Sequence, residues 1–223
     1  MHHDLVVFDD LDALSRAGAR YVTGLAHDAV RDDGTFHFAV SGGTTPWQML
    51  AMLATSDMPW EHTVVWQVDE RVAPRDDPDR NLAHVRAALG DAVARVRPMP
   101  VEDVDLDAAA ARYGAALPSR LHLVHLGLGP DGHTASLVPT DPVLCVQDLP
   151  VALTATAYGG HRRMTLTYPG IKRARRLLWL VSGTDKRGAL EKLLTSDPSI
   201  PAGRVEAGSS LVMADRAAAP GNA

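Results

Sequence analysis

A single cysteine, Cys145, stands in a chain of 223 residues. No intramolecular disulfide is therefore available, and such sparing use of thiols suits a reducing cytoplasm. Its neighbours Val143, Leu144 and Val146 are apolar, so the thiol is expected to be buried and structural. Positive charge is also short: 22 Lys and Arg against 27 Asp and Glu give a net charge of −5. That balance argues against general binding to nucleic acid or to an anionic membrane. An anionic ligand would need a local cluster of cations. No apolar run approaches the ~20 residues of a membrane span, and no secretory leader is expected. No internal repeat, linker or second domain stands out, and 46% hydrophobic content suffices for one α/β domain over residues 1–223. No His/Cys/Asp spacing matches a metal site, so neither a metal nor another cofactor is expected.

What the chain does contain is a series of apolar runs that break into glycine-rich, hydroxyl-rich or charged loops. The run Leu121–Leu128 reads as a buried strand, stopped by Gly127, Gly129, Pro130 and Gly132. Asp131 and His133 sit inside that break. Ligands of open α/β sheets bind where strands end. A His there, with an unperturbed pKa of ~6.5, is a natural general base, and Asp131 is close enough along the chain to orient it. Asp-Gly is also a common turn, in which His133 would merely cap the next segment of chain. Gly127, Gly129 and Gly132 fit G-x-G-x-x-G, with Asp148 near the acidic position of a dinucleotide fold. Pro139 and Pro142 leave too little room for the helix that motif opens, so a dinucleotide site is rejected.

Other strands end in similar ways. Leu5–Phe8 is expected as a first strand, followed by a helix capped by Asp9 or Asp10 and ended by Gly34. Phe36–Val40 runs into Ser41, Gly42, Gly43 and Thr44, with Thr45 as cap and Pro46 at the first position of the next helix. Strand, Gly-Gly loop and helix N-terminus together present backbone N–H groups to a phosphate. Taken alone, an ordinary tight connection accounts for the stretch as well. Val64–Val68 ends in Asp69, Glu70 and Arg71, either a site rim or a structural ion pair. Arg75–Asn81 reads as a solvated loop, and Leu82–Ala94 and Leu106–Leu117 as helices. Leu149–Thr156 is expected as a strand. The basic His161-Arg162-Arg163 then precedes Met164–Thr167, and an Arg in that place suits a phosphate clamp or a solvated turn. After strand Leu177–Val181, Lys186 falls at the start of helix Arg187–Leu194, where the dipole disfavours a cation unless an anion binds nearby. Leu211–Ala214 is a last strand, and Asp215–Ala223 is expected to fray. His122 and His125 read as satisfied strand histidines.

Five blocks, SGGTTP (Ser41–Pro46), DERVAP (Asp69–Pro74), LGLGPDGHTASLVP (Leu126–Pro139), RMTLT (Arg163–Thr167) and SGTDK (Ser182–Lys186), together resemble the 6-phosphogluconolactonase family nearly end to end. The resemblance implies a single-domain, Rossmann-like, mainly parallel open sheet with helices on both faces, without nucleotide or metal. It implies hydrolysis of 6-phospho-D-glucono-1,5-lactone to 6-phospho-D-gluconate; cytoplasmic localisation is the expectation from cysteine usage, and a monomer or small homo-oligomer is expected. In that scheme His133, oriented by Asp131, activates water. Ser41, Gly42, Gly43, Thr44, Arg163 and Lys186 hold the phosphate, Arg71 contacts the lactone, and Asp69 joins the substrate site. Two departures from the family pattern are Val138, where Phe is common, and Arg80 before Asn81, where Ser is common. The alternatives are a related glucosamine-6-phosphate deaminase or a non-catalytic sugar-phosphate sensor. The deaminase carries Glu at the position of Val138 and Tyr in place of Arg71. The sensor usually has a helix-turn-helix for which this chain offers no place.

Overall fold

A computed structural model of the chain describes residues 1–90 and 95–221. Strand β1 (Asp4–Phe8) leads into helix α1 (Leu11–Asp33), whose first turn is closed by Asp10 accepting from Ala13 N at 2.8 Å. Gly34, at φ 72°, ends it by donating its N–H to Val30 O. Then come β2 (Phe36–Val40), α2 (Thr44–Ala54), β3 (Thr63–Gln67), β4 (Asp69–Arg71), α3 (Asn81–Leu89), β5 (Val96–Arg97), α4 (Leu106–Ala116) and β6 (Leu121–Leu126). The chain continues through β7 (Val151–Leu153), β8 (Arg163–Leu166), the single turn α5 (Tyr168–Ile171), β9 (Ala174–Val181), α6 (Arg187–Leu194) and β10 (Ser210–Asp215).

Seven strands form one parallel sheet in the order β1-β10-β9-β6-β2-β3-β5. Alternate residues of its strands point to opposite faces. Phe36, Phe38, Leu123, Leu178 and Leu180 pack against α1, α2 and α3 on one side. Ala39, Val124, Leu126, Trp179 and Val181 pack against α4, α6 and a second small sheet on the other. Both faces are covered, which is why the central strands are apolar almost throughout. The small sheet is antiparallel, in the order β4-β8-β7. Val68 links the two sheets: its N–H donates to Val40 O at 2.9 Å, and its carbonyl accepts from Leu166 N at 2.7 Å. Among the described residues no helix is long and apolar enough to cross a membrane.

The expected α/β architecture is present, with several local differences. The strand expected over Leu149–Thr156 is only Val151–Leu153, and it belongs to the small sheet. Helix α2 starts at Thr44 behind Gly43, so Thr45 is not its cap. The helix expected over Leu82–Ala94 runs Asn81–Leu89, and positions 91–94 of that expectation lie outside the described residues. The Arg75–Asn81 stretch is not wholly solvated, because Arg80 and Asn81 are buried. Cys145 is exposed, not buried: it ends a short 3₁₀ turn of which Val143 is buried in the core and Leu144 packs against it half-buried. Nor does the C-terminus fray from Asp215. That residue closes β10, and Ala218 and Ala219 beyond it are buried; Ala218 N donates to Asp215 Oδ1 at 2.8 Å.

The two strand histidines also diverge. His122 Nδ1 accepts from His37 N at 2.9 Å, and its Nε2 lies 3.0 Å from Asp33 Oδ2. His125 is fully buried with neither ring nitrogen partnered. Burial in that apolar setting lowers its pKa to about 3. Between pH 6.5 and about 3 the unfolded chain therefore binds a proton that the folded chain refuses. Stability from this residue is fully present above pH 6.5 and is lost as the pH falls toward 3, at up to about 1.4 kcal/mol per unit. Replacement His125→Leu is expected to flatten the pH dependence of the melting temperature in that window. Parallel melting curves for the two proteins from pH 7 to 4 would contradict the assignment.

Candidate active site

The order of the large sheet creates a point from which successive connections lead in opposite directions. From β2 the chain proceeds toward the β5 edge, and from neighbouring β6 it proceeds toward the β1 edge. Loops leaving two such strands diverge and open a crevice at their C-terminal ends. Here the loops after β2 and β6 adjoin: a Cβ on Gly127 would lie 3.9 Å from Gly42 O. Between them lies a cavity of about 230 Å³. Its walls include Ser41, Gly42, Gly43, Thr44, Asp69, Arg71, His133, Arg163 and Lys186. Of the site residues expected from sequence, only Asp131 is not on the wall; it sits behind His133.

The loop after β6 is folded around the imidazole. Asp131 Oδ1 lies 2.6 Å from His133 Nδ1 and accepts from the His133 backbone N–H at 3.1 Å. Partial burial opposes ionisation of Asp131, yet the hydrogen bonds from the His133 backbone and ring hold its pKa below the usual carboxylate range. An ionised Asp131 requires the proton on Nδ1, which leaves Nε2 as the basic nitrogen. The ring packs on Gly129, where a Cβ would come within 2.0 Å of Nδ1 and 2.7 Å of Asp131 Oδ1. Gly129 is therefore required by close approach. The loop is closed by Gly129 N donating to His133 O at 2.8 Å and by Thr134 Oγ1 donating to Gly127 O at 2.8 Å.

The same cavity gathers groups whose chemistry suits an anion. Helix α2 enters through Gly43, at φ 121°, and has no side-chain cap, so its first N–H groups remain free. The Ser41 hydroxyl is buried on the same wall with no hydrogen-bond partner. Arg71 and Arg163 are directly paired across β4 and β8. Like charges in that arrangement repel. Burial first, and the nearby Arg71, lower the pKa of Arg163, while Asp69 acts in the opposite sense. Asp69 Oδ2 is 3.9 Å from Arg163 Nη1 and is also engaged by Ser136 Oγ at 2.7 Å, so its neutralisation of the two guanidinium groups is incomplete. Lys186 adds a third cation at the end of a 3₁₀ turn that leads into α6; its Nζ lies 3.1 Å from the exposed Asp185. Uncapped N–H groups, an orphaned hydroxyl and three cations make a phosphate-sized anion the natural occupant.

Several residues support the site from behind, of which the sequence marks Glu70 only as a rim or ion-pair residue. Glu70, fully buried, accepts from Arg71 N, Asn81 N and Leu82 N at 2.8 Å each, and so caps α3 while fixing the strand that bears Arg71. Buried Arg80 lies 3.3 Å from Glu70 and 3.3 Å from Glu102. Asn81 contacts Arg71 Nη1 through its Oδ1, and the same oxygen would meet a Cβ on Gly42 at 1.9 Å. Asp215 accepts from Ser182 Oγ at 2.5 Å and from Gly183 N at 3.2 Å, and so holds the turn that presents Lys186. Tyr158 lies on the wall beside His133. Among the described residues one metal-type trio converges, Asp77, Asp79 and His161, with donor atoms within 4.8 Å. It lies off the cavity wall, and local contacts account for it: His161 Nε2 meets Asp79 at 3.3 Å, and Asp77 Oδ1 accepts from Asp79 N at 2.9 Å.

The fold and the cavity define an α/β protein with an anion cradle facing a carboxylate-oriented histidine at the sheet's switch point. Comparison with known proteins is consistent with that class. Residues 9–213 match the family model for glucosamine-6-phosphate isomerases/6-phosphogluconolactonase. The chain is 38% identical over 192 residues to the GDH/6PGL endoplasmic bifunctional protein of Oryctolagus cuniculus, covering 79% of this chain but 24% of that longer protein. It is 36% identical to 6-phosphogluconolactonase of Synechocystis sp., covering 79% of this chain and 78% of the relative. The crystal structure of 6-phosphogluconolactonase from Thermotoga maritima superposes with a TM-score of 0.87 at 21% identity, over 96% of this chain and 100% of that one. The chain belongs to the glucosamine-6-phosphate isomerase/6-phosphogluconolactonase family.

Binding of inorganic phosphate, followed by calorimetry, tests the cradle independently of any turnover. A charge-assisted hydrogen bond contributes about 1.5–3 kcal/mol. Arg163→Ala and Lys186→Ala are each expected to weaken phosphate binding at least tenfold. Unchanged affinity in both variants would place the anion elsewhere.

Proposed function

We propose that the chain hydrolyses 6-phospho-D-glucono-1,5-lactone to 6-phospho-D-gluconate. The observation that carries this reading is the presence, in one cavity, of a phosphate cradle and an Asp131-oriented His133. The loop Ser41–Gly43 with the first residue of α2, Thr44, together with Arg163 and Lys186, holds the phosphate, and Asp69 offers carboxylate oxygens to sugar hydroxyls. His133 Nε2 takes a proton from water as the water oxygen attacks the ring carbonyl. The tetrahedral adduct then collapses, the bond from C1 to the ring oxygen breaks, and the imidazolium returns its proton to that oxygen. The carboxylic acid so formed loses its remaining proton to solvent, and Arg71, whose guanidinium forks onto carboxylates, is placed to face both the transient charge on the carbonyl oxygen and the product carboxylate. A δ-lactone is already a reactive ester, so a positioned base and remote phosphate binding suffice without a covalent nucleophile.

The family also includes deaminases, and one position speaks against that activity here. Val138 stands where the deaminase resemblance places a glutamate; it is buried and does not reach the cavity wall. A valine there relays no proton. The single exposed thiol suits a reducing cytoplasm. The reading includes a small-molecule phosphosugar lactone as the only partner, no nucleic acid, membrane or cofactor, and a monomer or small homo-oligomer.

Two assays on the wild-type chain test it together. Opening of the phosphogluconolactone at mildly acidic pH, where the spontaneous reaction is slow, is expected to be rapid. Ammonia release from saturating glucosamine 6-phosphate is expected to be absent. Ammonia at enzymatic rates, or lactone opening no faster than the buffer blank, would overturn the proposal.

A further inference from the structure

One residue of the cavity wall touches both halves of the site, His133 through its ring and Arg163 through its carbonyl. Tyr158 lies in a hairpin closed by Tyr158 N donating to His161 O at 3.0 Å, with Gly159 and Gly160 turning at φ 59° and 86°. Its ring stands edge-on to the His133 imidazole, with centroids 5.1 Å apart and planes at 62°. Its hydroxyl is 3.5 Å from His133 Nδ1, beside the bond to Asp131. On the other side the Arg163 guanidinium lies 5.8 Å from the ring centroid, and Arg163 Nη2 donates to the Tyr158 carbonyl at 2.8 Å.

We infer that Tyr158 is a positioning residue: its ring holds the imidazole of His133 so that Nδ1 stays on Asp131 and Nε2 stays turned into the cavity. The need arises from the surroundings of His133. Gly129 supports the imidazole with no side chain of its own, and the His133 side chain is 23% exposed, so one contact with Asp131 leaves the ring free to rotate about it. Aromatic edge-to-face contact supplies the second constraint that a fixed orientation demands. The hydroxyl assists in a lesser way. At 3.5 Å it is at the limit of hydrogen bonding, and burial, then the charge of Asp131, raise its pKa, so that it stays protonated next to the carboxylate. Because Arg163 is held by the main-chain carbonyl of Tyr158, substitutions of the side chain separate the two roles.

The role has a readout in the free protein, independent of the substrate proposed above. Imidazole ¹⁵N shifts are recorded in the ligand-free wild type, Tyr158→Phe and Tyr158→Ala, with His133 assigned by its absence in His133→Ala. Wild type and Tyr158→Phe are expected to show a single tautomer protonated at Nδ1, and Tyr158→Ala shifts averaged between tautomers. With the phosphogluconolactone, Tyr158→Ala is expected to lower kcat at least tenfold with KM changed less than threefold, and Tyr158→Phe to restore kcat to within about twofold. Unchanged imidazole shifts in Tyr158→Ala, or equal disturbance in Tyr158→Phe, would overturn the inference. An imidazole disturbed only in Tyr158→Ala, with no lactone turnover in any of the proteins, would count against the lactone reading and leave the positioning role standing.

Discussion

The contact between Asp131 and His133, 2.6 Å long, is the interaction on which the site depends. It fixes which nitrogen is basic, and the local chain is shaped around it. Strand β6 delivers the loop to the crevice, Gly129 leaves room for the ring, and Gly132 turns at φ 81° so that its carbonyl accepts from Ala202 N at 3.0 Å. A side chain on Gly132 would strike Ile200, with Cβ 2.5 Å from its Cβ. The Asp-Gly pair thus serves as a turn and also orients the imidazole of His133, the base of the proposed reaction.

The second constraint is electrostatic. Two arginines paired across β4 and β8, with Lys186 in the same cavity, concentrate positive charge in a protein whose net charge is −5. Such an arrangement costs folding free energy unless anions answer it. Glu70 answers from behind, by anchoring Arg80 and the backbone around Arg71, and Asp69 answers only in part. The remainder faces the cavity beside the uncapped α2 and the orphaned Ser41 hydroxyl. The strain of gathering these cations is one that a bound anion, such as the phosphate of the proposed substrate, would relieve.

Much of this was legible in the sequence because the central strands are apolar runs ending in unusual loops. The positions of Ser41–Thr44, Asp131 with His133, and Lys186 emerged from where those runs stop. The small antiparallel sheet was not legible: β4 and β7 have three residues each and β8 has four, too short for alternation to show, and β4 is entirely charged. Nor were Tyr158, Asn81 and Asp215. Each owes its place to tertiary pairing: a Gly-Gly hairpin folding over His133, a side chain filling the space at Gly42, and the Asp215 side chain holding Ser182. Cys145 misled because apolar neighbours in sequence face the core only where the backbone turns them inward, and a 3₁₀ turn exposes the thiol.

The central claim is that His133 acts on the proton of water and not on binding. Its most direct test is a comparison of His133→Ala with wild type, with single-turnover opening of the phosphogluconolactone measured by stopped flow and 6-phosphogluconate affinity by calorimetry. General-base catalysis is worth roughly 10²–10⁴-fold, and the proposed phosphate contacts lie on other segments of the chain. A loss of that order in turnover is expected, with product affinity unchanged within a few-fold. Turnover near the wild-type rate, or affinity lost in parallel with it, would contradict the account.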